Sequence, residues 1–83
     1  MMTTAQKELL LSSLENERIE LSQRLESISE YVKSPESREF GTLYSSTCLN
    51  QYSRMVEHLG FLSIRIKVIE QKLAEDFNRK NNL

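Results

Sequence analysis

From Cys48 onward the apolar residues fall on an alternating four-three spacing: Cys48, Tyr52, Met55, Leu59, Leu62, Ile66, Ile69 and Leu73, with Asp76 closing the series. That spacing is the seam of a helix lying along a partner helix for most of its length. No proline interrupts it, and Gly60 is the one weak helix former inside it. A helix over about 47–77 is predicted, with Ser45, Ser46 or Thr47 as its cap. The polar tail, 78–83, is expected to fray.

The N-terminal part repeats the spacing at Leu11, Leu14, Leu21, Leu25, Ile28 and Val32, with Arg18 standing where a further apolar residue belongs. An Arg on a seam either carries its charge outward on its stem or pairs with an acid across the interface. Leu9, Leu10 and Ile19 lie off the line and are expected to widen the buried face. Glu20 and Arg24 have the favourable i to i+4 order for an ion pair. The predicted helix covers about 4–32, roughly 43 Å long, capped by Thr3 or Thr4.

Residues 33–47 form the connector. Pro35 disfavours helix at Ser34 and removes a donor, so the first helix ends there. Ser34, Pro35 and Glu36 also read as a helix start, which predicts a short helical turn over 35–40 ended by Gly41. Phe40 and Leu43 are expected to fold back and plug the open end. The fold class is all-α: a long antiparallel helical hairpin forming one domain over 1–83.

The second helix carries another signal. Phe61, Ile64 and Val68 centre roughly 130° from Leu62 at the helical angle of 100° per residue. A hairpin has one internal seam, so a second stripe must meet something else, most simply another copy of the chain. A homo-oligomer is the expected assembly.

Composition narrows the rest. The chain has 83 residues, one cysteine and a formal charge of −1. Internal disulfides are excluded, and Cys48 reads as a small buried hydrophobe in a reducing compartment. One Cys and one His make no zinc site. The charge balance argues against long nucleic acid as a partner. No apolar run is long enough to span a membrane, and the N-terminal residues lack the features of a signal peptide. A cytoplasmic location is expected. The bias of Lys33, Arg38, Arg54, Arg65 and Lys67 toward the second part of the chain allows a local anion site or an ordinary solvated surface.

No catalytic constellation, cofactor motif or phosphate loop is visible, and His58 reads as a partly exposed or interfacial histidine rather than a general base. The aromatics gather near the bend: Tyr31, Phe40, Tyr44 and Tyr52, with Lys33, Arg38 and Arg54 in the same region. Aromatic faces beside cations can hold a nucleobase and its phosphate. The other reading is that Phe40 and Tyr52 pack the bend while the cations are solvated.

These residues carry a resemblance. Leu21, Arg24, Leu25 and Ile28 lead into Tyr31-Val32-Lys33-Ser34-Pro35, then Phe40 and Leu43. Gln51, Met55, His58, Leu59, Leu62 and Arg65-Ile66 follow on the second helix. Over about 15–69 the chain resembles the small bacteriophage helical-hairpin proteins grouped with the anti-CBASS nucleotide sponges and the Thoeris anti-defence sponges. The resemblance implies a compact homo-oligomer, hexameric in the anti-CBASS sponges. It also implies capture of cyclic oligonucleotide immune signals in the host cytoplasm, without cleavage.

The expected function is therefore a phage-encoded sponge for cyclic dinucleotides or trinucleotides, binding between protomers near the bend and the basic side of the second helix. By chemistry and placement, Tyr31 or Tyr44 would stack on a base, and Lys33, Arg38, Arg54 or Arg65 would meet phosphates. The alternative is a structural or adaptor protein that binds a protein through the same helical surfaces. An enzyme, such as a phosphodiesterase, lacks an acid/base or metal set in this sequence.

Overall fold

A computed structural model describes residues 1–81. Helix α1 spans Thr4–Lys33, a single 3-10 turn spans Pro35–Arg38, and helix α2 spans Gly41–Asn81. The two helices pack side by side as a hairpin 64 × 17 × 14 Å in extent.

The predicted seam of α2 is the buried line of the structure. Every one of its positions from Cys48 to Asp76 is buried or half-buried. Leu62 is fully enclosed and joins Leu14, Leu21 and Ile66 in the core, with Leu10, Leu11, Met55, Leu59 and Ile69 packed around them. Two departures on α1 are instructive. Leu9 and Ile19, expected to widen the buried face, are 72% and 53% exposed. A single facing helix covers only a narrow stripe, and both residues fall beyond its reach. Arg18 is exposed and lines a shallow surface groove with Ser63, Lys67 and Glu70. Its charge leaves the seam outward, and among the described residues it forms no ion pair. The Glu20–Arg24 pair is likewise not formed among them.

The polar end of the seam has a partner on α1. Asp76 accepts hydrogen bonds from Lys7 Nζ at 2.7 Å and from Thr4 Oγ1 at 3.2 Å. Thr3 caps α1 with its hydroxyl, while the Gln6 side chain accepts from the Thr3 amide, a reciprocal box. The Lys7 hydrogen bond holds the Asp76 carboxyl below its ordinary value of 3.8, helped by Thr4 and by the charges of Lys7 and Arg79 against the opposing effect of burial. A depressed carboxyl contributes stability above its ordinary value and loses it as pH falls through the folded value. Thermal melts followed by circular dichroism should therefore show the hairpin weakening as pH drops below about 4. Asp76→Asn should remove part of that acid dependence; an identical acid profile in the variant would contradict the assignment.

The bend differs most from expectation. The 3-10 turn stops at Arg38 rather than Phe40, and Gly41 begins α2 rather than ending the turn. Its φ of +86° is the reason, because that left-handed conformation lets the chain reverse within one residue. The second helix thus starts at Gly41 instead of about residue 47, and Ser45, Ser46 and Thr47 lie inside it. A chain of hydroxyls stitches the bend instead. Ser45 Oγ donates to the Ser37 carbonyl at 2.8 Å, Ser37 Oγ to Ser34 at 2.8 Å, and Ser34 Oγ to Tyr31 at 2.7 Å. Ser37 is the buried residue there. Phe40 and Leu43 do not plug the end; they are 64% and 83% exposed. At the far end, α2 remains helical through Asn81, so 78–81 continue the helix. The expectation for Asn82 and Leu83 lies outside the described residues.

Candidate ligand site at the bend

Three aromatic rings meet at the bend. Tyr31, near the end of α1, meets Tyr44 edge-on with centroids 5.8 Å apart and planes at 75°. Phe40 tilts against Tyr44 at 5.1 Å and 52°. The pairing follows from the turn: Gly41 reverses the chain so that the first turn of α2 lies beside the last turn of α1. Such edge and tilted contacts match the quadrupoles of the rings.

The rings differ in access. The Tyr31 hydroxyl is enclosed and has no hydrogen-bond partner among the described residues. Burial raises its phenol above the ordinary value of 10.0, and Tyr44, Cys48, Glu39 and Glu36 push in the same direction. Tyr44 is 47% exposed and Phe40 more so. Tyr31 therefore supports the cluster from below, and the open faces belong to Tyr44 and Phe40. The sequence left Phe40 open between a ring beside cations and a residue packing the bend, because a hydrophobic residue in a connector carries no signal of direction; its ring is exposed.

Lys33 and Arg38 line one small groove of about 340 Å³ with Val32, Ser34, Pro35 and Ser37. The 3-10 turn, Pro35–Arg38, sets Arg38 on the same groove as Lys33. Both can donate to a phosphate, Arg as a fork and Lys as a point charge. Glu36 and Glu39 occupy the same turn and temper the positive field.

The remaining candidates stand apart. Arg54 is exposed and lies 3.7 Å from Glu57, ten residues beyond Tyr44 and so about 15 Å along the axis. Arg65 is exposed and about 32 Å from Tyr44 along the axis. Within one protomer, Tyr31 meets Tyr44 and Lys33 shares a groove with Arg38, both at the bend, and Arg54 and Arg65 stand apart from both pairs. Between the bend and Arg54's level runs a second, open groove of about 530 Å³, lined by Glu20, Gln23, Arg24, Ser27, Ile28, Gln51 and Met55. Its amides and guanidinium could contact the edge of a bound base.

His58 is partly exposed, with Nε2 3.4 Å from Glu17 Oε1. Among the described residues, no cluster of His, Cys, Asp and Glu could hold a metal, and no helix is long and apolar enough to cross a membrane. No family model, no curated protein and no solved structure matches this chain.

Proposed function

We propose that this chain is a bacteriophage anti-defence sponge that captures cyclic oligonucleotide signals at its bend without cleaving them. The observation that carries the reading is the open aromatic pair, Phe40 and Tyr44, at the same end of the hairpin as the cations Lys33 and Arg38. An exposed ring face is costly in water and is offset when a base stacks on it, at about 1–3 kcal/mol per base. The two cations are enough for the one or two phosphates next to a stacked base. Glu36 and Glu39 would repel a longer polyanion.

The reading is capture without cleavage, and the single histidine, His58, lies away from the bend. His58 is fourteen residues past Tyr44, about 21 Å along α2. The resemblance over about 15–69 supports the same reading and implies the host cytoplasm and an oligomer whose protomers share each ligand. The adaptor reading draws on a different observation, the exposed apolar stripe of α2.

Isothermal titration with a panel of cyclic di- and trinucleotides separates the two. Saturable heat with at least one member, and intact nucleotide recovered afterwards, is the expected result. No heat with any member would end the sponge reading, and cleaved nucleotide would make the protein an enzyme.

A further inference from the structure

The outer face of α2 has a charge pattern that reverses about its own midpoint. Phe61, Ile64 and Val68 are each about half exposed or more, and Arg18 of α1 reaches only the flank of the stripe, where it lines a groove with Ile64 and Lys67. Before them stand Arg54 and Glu57; after them stand Lys72 and Glu75. About a point between Ile64 and Arg65, Arg54 mirrors Glu75, Glu57 mirrors Lys72, and Phe61 mirrors Val68. All four charged side chains are exposed, and each acid sits near the base beside it, at 3.7 Å for Arg54–Glu57 and 3.4 Å for Lys72–Glu75.

The angles around the helix decide what this pattern can meet. At 100° per residue, Glu57 and Glu75 lie within about 15° of the stripe's centre, and Arg54 and Lys72 lie about 50° to one side. In an antiparallel pair of identical helices, that side of one faces the same side of the other. Each base then stands opposite an acid of the second copy: Lys72 with Glu57, and Arg54 with Glu75. In a parallel pair, like charges would meet at every level. Arg65 lies farther out on the same flank, where its long stem can carry its charge into water.

The surface area points the same way. The chain exposes 6657 Å², whereas a compact monomer of its mass exposes about 5,100 Å². The excess of about 1,500 Å² is more than the roughly 800 Å² that each partner contributes to a standard interface. A hairpin this thin has a surface large enough for a stable contact with its own kind.

We infer that the chain self-associates through the outer face of α2, antiparallel about a two-fold axis between Ile64 and Arg65. The apolar stripe forms the centre of the contact. Arg54, Glu57, Lys72 and Glu75 form a charged cluster at each end that fixes direction and register. The inference stands independently of what the bend binds.

Sedimentation equilibrium tests it. The wild-type protein should contain an even number of copies, as an isologous contact requires, and Phe61→Asp should halve that number while keeping its helical circular dichroism. Glu57→Lys alone and Lys72→Glu alone should each self-associate about tenfold more weakly, because two attractions become repulsions. Their equimolar mixture should regain the wild-type affinity, since each variant supplies the charge that the other lacks. A monomer, an odd copy number, an unchanged mass in Phe61→Asp, or a mixture no tighter than its components would each overturn the inference.

Discussion

Replacing Leu62 by alanine is expected to remove about 2–5 kcal/mol of stability, the range for emptying an enclosed leucine site. Leu62 is 0% exposed and is the side chain on which Leu14, Leu21 and Ile66 converge. Alanine is a better helix former than leucine, so the loss is one of packing and not of helix propensity. The neighbours cannot close the gap easily, because two straight helices already touch along this line. A chain of this size holds a small reserve of stability. The melting temperature should therefore fall by at least about 10 °C, with the cooperative transition broadened. Leu9→Ala is the matched control. Leu9 is 72% exposed, so its truncation should change stability by no more than about 0.5 kcal/mol. Equal effects at the two positions would mean that the core has been misplaced.

Replacing Tyr44 by alanine is expected to weaken capture of a cyclic nucleotide by about ten- to a hundred-fold, the value of one base stacked on an aromatic ring. Tyr44 is the ring that touches both other aromatics of the bend, and with Phe40 it offers an exposed face to a base. Tyr44→Phe keeps the face and should keep most of the affinity. Tyr31→Phe should change little directly, because the Tyr31 hydroxyl is enclosed and makes no hydrogen bond that the change would break. Arg65→Ala should leave affinity unchanged, since Arg65 lies about 32 Å along α2 from Tyr44. Titration calorimetry reads all four. Loss of binding in Arg65→Ala with none in Tyr44→Ala would move the ligand from the bend to the flank of α2.

The hairpin was legible because burial on one face leaves a period in the sequence. The four-three spacing from Cys48 to Asp76 is the buried line of α2, and Pro35 marks the break between the helices. Asp76 looked like a flaw at the end of that line. Its partners, Lys7 and Thr4, are some seventy residues away and become visible only once the antiparallel register is known. The bend was less legible. A serine or threonine can cap a helix or bond back to a carbonyl within one, and sequence does not separate the two roles. Thr47 bonds back to Leu43 and Ser45 reaches across to Ser37, so neither caps α2. Gly41 was read as a stop and acts as the pivot. For the candidate site, residue chemistry and placement named Tyr31 and Tyr44, whose rings meet, and Lys33 and Arg38, which share a groove. They also named Arg54 and Arg65, because a shared charge says nothing about distance along a helix.

Native mass spectrometry of the purified protein, before and after adding mixed cyclic di- and trinucleotides, tests the sponge reading most directly. The expected spectrum is one discrete oligomer that gains mass in steps of a whole cyclic nucleotide, up to a fixed number of sites. A discrete oligomer that gains nothing would contradict it and leave the helical surfaces to a protein partner.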